Sequence, residues 1–81
     1  MDSSTYKTAL EHCNKMQDAL QKTIHTIEMS QNFMKKYDDL NYNYSSNCQI
    51  LESIKYQHTL ISNQCKFLDY KEKLCKPGED C

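Results

Sequence analysis

Between Ser3 and Lys76 the chain has neither glycine nor proline. A sheet protein of this length needs several tight turns, and turns draw on those two residues, so their absence excludes most β architectures and predicts an all-α chain. Arginine is also missing: all ten basic residues are lysine. Without the planar guanidinium fork, and with the lysines dispersed among acids, nucleic-acid binding is not expected. No apolar run exceeds two residues, so direct membrane insertion is not expected either. The opening stretch "MDSSTYKTAL" lacks the basic-then-apolar order of a secretory signal. The expected location is therefore cytoplasmic or nuclear, and not secreted, with the mitochondrial intermembrane space as an alternative.

What is present is a regular pattern. Stepping by seven from Tyr6 gives Cys13, Leu20, Ile27 and Met34, interleaved with Leu10, Gln17, Ile24, Gln31 and Asp38. This is the 4-3 spacing of an apolar helical seam. Ala9, Met16, Phe33 and Tyr37 widen it, which predicts contact with more than one neighbour. A second series, Asn47, Ile54, Ile61, Leu68 and Cys75 with Leu51, His58 and Cys65, runs one residue out of phase with the first. Between the two lies "NYNYSSN", poor in helix formers, and Ser46 followed by Gln49 fits a capping box.

The expected organisation is one helical domain over residues 1–81. It has a helix over about 4–40 capped by Asp2, Ser3 or Ser4, a polar joint over 41–46, a helix over about 47–74 and a tail over 75–81. At 1.5 Å per residue the helices would be roughly 55 and 42 Å long, leaving the first turns of the longer one uncovered. A six-residue connection favours an antiparallel hairpin over a continuous rod.

With 81 residues, of which 38% are hydrophobic, two helices alone bury little, so oligomerisation is expected to complete the fold. The partner interface is assigned to the seams: Tyr6, Leu10, Cys13, Leu20, Ile24, Ile27, Met34, Leu51, Ile54, Ile61 and Leu68. Gln17, Gln31 and His58 interrupt them, either to specify register or by tilting toward solvent. Tyr37, Tyr42 and Tyr44 near the joint form either a recognition patch or a cap on the core.

Five cysteines leave at least one thiol unpaired in an oxidised monomer. Cys65 and Cys75 bracket nine residues, and this half-pattern resembles one arm of the twin C-x9-C helical hairpins of the mitochondrial intermembrane space. The resemblance implies two disulfides across a helix pair, but the second arm is missing, since Cys13 and Cys48 lie far apart. A zinc site drawn from His58, Cys48, Cys65, Cys75 and Cys81 lacks the short knuckle such sites use. The "CKPGEDC" ending, with Pro77 and Gly78 after a basic turn, reads as a helix stop.

His12 and Cys13 are adjacent and so point about 100° apart on a helix, and no cleft is foreseen, so neither enzyme activity nor a cofactor nor a small-molecule substrate is expected. The function expected is that of a non-enzymatic coiled-coil subunit or adaptor that binds protein partners through helical seams, as a homo- or hetero-oligomer. In size and patterning it resembles small subunits of kinetochore, spindle-pole and organelle-tethering complexes. The competing classes are a disulfide- or zinc-stapled mini-domain and a small viral or regulatory binder of a partner's helix groove.

Overall fold

The computed structural model describes residues 2–75. Helix α1 spans Ser3–Met34 and helix α2 spans Asn41–Leu74, joined through a 3-10 turn at Asp38–Leu40. Asp2 starts α1: its backbone is extended, and its carboxylate accepts from the Thr5 amide at 2.9 Å and the Thr5 hydroxyl at 3.1 Å. That satisfies one of the amides a helix start leaves without a partner. At the other end Lys36 and Tyr37 donate to the carbonyls three residues back, at 3.2 and 3.1 Å, which tightens the last turn. Tyr37 then swings into extended geometry (φ −131°, ψ 118°) and the chain reverses.

The reversal lies several residues earlier than the predicted joint. Residues 41–46 belong to the first turns of α2, the Ser46–Gln49 capping box does not form, and α1 stops at Met34 instead of reaching residue 40. The physical reason is charge placement and packing together. Lys35 and Lys36 follow the carbonyl end of α1, while Asp38 and Asp39 stand before the amide end of α2, each where the helix dipole favours it. Weak local propensity in "NYNYSSN" is overridden by contacts across the pair. Asn47 donates to the Ser30 hydroxyl at 3.4 Å and approaches the Met34 sulfur at 3.7 Å. The helices are consequently almost equal, 32 and 34 residues, and no long overhang of α1 remains.

The hydrogen-bonded pairs toward the two ends run in opposite directions along the helices: Gln17 bonds to Ser62, and Gln31 to Cys48. This is an antiparallel hairpin, 60 Å long and only 14 by 12 Å across. Its core is a single file of Tyr6, Cys13, Ile24, Leu51, Cys65 and Cys75. Gln17 and Gln31 stay in the seam and bond across it at 2.8 Å to Ser62 Oγ and 3.2 Å to Cys48 Sγ, so they act as register pins and do not tilt away. His58 is half-buried. The Glu28–Lys55 pair, 3.8 Å apart and half-exposed, adds little by comparison.

The residues assigned from sequence to a partner interface are all buried or half-buried here, on the helices that form the hairpin. The tail reading of "CKPGEDC" falls mostly on residues 76–81, outside the described residues. Within them, α2 ends at Leu74 with Lys71 and Lys73 in its last turn, and Cys75 is extended (φ −92°, ψ 137°).

Truncating the file should be costly. Ile24→Ala and Leu51→Ala are each expected to lower unfolding free energy by about 2–4 kcal/mol in urea titration, whereas Thr59→Ala on the exposed side should stay within about 0.5 kcal/mol. The Thr5 bonds hold the Asp2 carboxyl below its ordinary 3.8. A depressed carboxyl stabilises the fold above its unfolded value and loses that contribution as pH falls through the folded one. Helicity at the first turn should therefore decline in acid below about pH 4, and Asp2→Asn, which keeps an acceptor, should flatten that decline.

Candidate functional site

The hairpin covers one stripe of each helix, and what lies beside that stripe differs sharply between its two sides. One side of α1 carries Ala9, His12, Met16, Ala19, Thr23, Thr26, Ser30 and Phe33, again at alternating 3-4 spacing. On α2 the matching positions are Ser46, Ile50, Ser53, Gln57, Leu60, Gln64, Phe67, Lys71 and Leu74. Lys71 and the titratable His12 are the only exceptions to a side otherwise free of ionisable groups. The opposite side holds Lys7, Glu11, Asp18 and Glu28 on α1 and Glu52, Lys55, Lys66, Asp69 and Lys73 on α2. In a chain with 26% charged residues such segregation marks a surface built to lose water.

Met16, Ala19 and Leu20 of α1 and Gln57, Leu60, Ile61 and Gln64 of α2 line one open groove of about 430 Å³, so the two uncharged stripes meet on one side of the molecule. Met16 and Leu60 at the groove are 46% and 43% exposed, and Phe33, Phe67 and Leu74 elsewhere on the two stripes are more exposed still. Across the pair a second trough, about 270 Å³, is lined by Leu10, Asn14, Gln17, Ser62, Cys65, Lys66 and Asp69. One groove is apolar and uncharged, the other polar and charge-flanked.

Of the predicted interface residues, Leu20 and Ile61 reach the floor of the apolar groove, and Leu10 reaches the polar one. Tyr6, Cys13, Ile24 and Leu51 are covered by the chain's own packing. Met16 and Phe33 were legible in the sequence as widening the first seam, whereas Phe67 and Leu74 were missed. The signal was available: stepping by seven from Ser46 through Ser53, Leu60, Phe67 and Leu74 meets no charge at any of the five positions.

The three tyrosines near the turn do not form one patch. Tyr37 packs on Phe33 with ring centroids 5.1 Å apart, Tyr44 lies half-buried under the Lys35 ammonium at 5.9 Å, and Tyr42 is 81% exposed.

Cys13, Cys48 and Cys65 are free thiols, and Cys75 is disulfide-bonded. Burial, and a hydrogen bond with the Cys13 thiol, push the Cys65 thiol up from 9.0 to about 11. Among the described residues no three His, Cys, Asp or Glu side chains gather as a metal site requires, and no helix is long and apolar enough to cross a membrane. Comparison of the chain with protein-family models, curated proteins and solved structures gives no match in any of the three.

The Cys65 shift has a measurable sign. A thiol that resists ionisation in the fold but ionises at its ordinary 9.0 when unfolded leaves stability unchanged at neutral pH and lowers it as pH rises from about 9 to about 11. Alkaline unfolding of Cys65→Ala should lack that loss, measured as the change in urea midpoint between pH 8 and pH 10.5.

Proposed function

We propose that this chain is a non-enzymatic subunit or adaptor whose uncharged side receives an amphipathic helix of a partner protein, extending the hairpin into a coiled-coil bundle. The observation that carries this reading is the apolar groove in which the exposed Met16 and Leu60 lead down to the seam at Leu20 and Ile61, with Phe33, Phe67 and Leu74 exposed further along the same helix faces. A third helix seated there covers side chains that a lone hairpin leaves in water, which is the usual reason for an apolar helix face opposite a charged one. It also relieves the weakness of a core one residue wide. The partner class is a protein helix with a matching uncharged stripe, and the assembly is the complex subunit or scaffold of the sequence reading, with a second copy as the homo-oligomeric form. Cys13, Cys48 and Cys65 stay as free thiols although Cys75 is disulfide-bonded, and the cytoplasm or nucleus is the proposed location.

The test is co-purification of the tagged chain from its source, comparing wild type with Leu60→Glu/Phe67→Glu and with Lys66→Glu on the charged side. Each apolar side chain is worth about 1.5–3 kcal/mol when covered, so the double variant should weaken partner capture by well over tenfold while circular dichroism stays helical. Lys66→Glu should bind as wild type does. Undiminished capture by the double variant would falsify the assignment of this side. A chain that is monomeric and highly stable in reducing buffer would count against the subunit reading as a whole.

A further inference from the structure

Two buried thiols that the interface does not use face each other across the seam. Cys13 on α1 is 2% exposed and Cys65 on α2 is 8% exposed. The Cys13 sulfur lies 3.5 Å from the carbonyl oxygen of Ile61, one helical turn before Cys65, so it sits against the same turn that carries the second thiol. The nearness of Cys13 is, after burial, what holds the Cys65 thiol in its protonated form. Neighbouring thiols held on facing helices are the arrangement a disulfide needs. Cys65, unlike Cys13, also lines the polar trough beside Lys66, which gives a small reagent a route to one sulfur of the pair.

We propose that Cys13 and Cys65 are a closable dithiol, a modification site at which a disulfide oxidant forms one covalent bond across the seam and locks the register of the hairpin. The oxidant is a low-molecular-weight disulfide, RSSR, such as oxidised glutathione. Cys65 loses its proton and attacks one sulfur of RSSR; the external S–S bond breaks, a mixed disulfide forms and the first RS⁻ leaves. Cys13 then loses its proton and attacks the Cys65 sulfur, the Cys13–Cys65 bond forms and the second RS⁻ leaves. The two protons given up by the cysteines end on the two RS⁻ groups. Two cysteine thiols are oxidised, and one external disulfide is reduced to two thiols.

The reluctance of Cys65 to ionise makes the first step slow at neutral pH, and the dithiol therefore persists in a reducing compartment until oxidant is sustained. Closure faces the polar trough and leaves the uncharged side as it was. Its effect is to remove the freedom of α1 and α2 to separate or slide, which a core one residue wide otherwise restrains weakly.

The test treats the reduced, folded full-length chain with oxidised glutathione, quenches with acid and maps tryptic peptides. The expected product joins the peptide over residues 8–15 to the peptide over residues 56–66. Its rate of formation should rise about tenfold per pH unit below the Cys65 titration, following the thiolate fraction. The same treatment in denaturant should instead favour pairs close in sequence, such as Cys65 with Cys75, because shorter loops cost less to close. Closure should raise the melting temperature on the order of 10 °C, reversibly with reductant. Cys13→Ala should abolish that rise and Cys48→Ala should keep it. If Cys13→Ala does not fold, the native-versus-denatured peptide map decides alone. A native map in which Cys65 pairs elsewhere or stays reduced, or a 13–65 bond with no change in melting, overturns the proposal.

Discussion

An α-helix lying against a single neighbour covers an arc of only about 100° of its circumference, so any second apolar stripe on either helix has nothing within a two-helix chain to lie against. Here that constraint acts on both helices at once. The first stripes close on each other and make a core one side chain wide, from Tyr6 through Cys13 and Ile24 to Leu51 and Cys65. The second stripes, carrying Met16, Phe33, Leu60 and Phe67, fall on one side of the pair, where Lys71 is the one charged side chain, and the other side carries acids and lysines from both helices. The division of the molecule into a self-sufficient seam, an uncharged side and a charged side follows from this geometry.

A core so thin gives individual polar contacts unusual influence. In a bundle of four helices a glutamine in the seam would be one defect among many layers. In this hairpin Gln17 and Gln31 bridge the two helices directly, and sliding one helix by a turn would break both bonds and leave the amides facing apolar neighbours. The paired thiols of Cys13 and Cys65 occupy a layer between those pins and the open ends. Burial that makes Cys65 hard to ionise also makes it a compact apolar filler, so one position serves packing and stores reactivity.

Much of the fold was legible before any coordinates, because heptad spacing and the lack of glycine and proline both report on long helices. The seams predicted from Tyr6 and from Asn47 are the ones found, and Asp2 caps α1 as its position implied. The turn lies away from the poor helix formers of "NYNYSSN" because the residues that end α1 and precede α2 are the charged pairs Lys35–Lys36 and Asp38–Asp39. Propensity differences of a few tenths of a kcal/mol per residue yield to a dipole-matched turn and to the packing of Asn47 against Ser30 and Met34. For the candidate site, both apolar stripes were legible in the sequence, but nothing in a linear pattern says which of them the chain will spend on itself.

The amino-acid order by itself determined that the chain is helical, where its apolar stripes run and how its charges are segregated, since these depend only on residue type and the 3.6-residue repeat. Which stripe faces inward, where the chain reverses, and that Cys13 meets Cys65 were decided only by the tertiary structure. They depend on the relative register of two helices, set by the turn at residues 35–40 together with contacts between residues distant in sequence, such as Gln17 with Ser62. No periodicity within either helix contains that information.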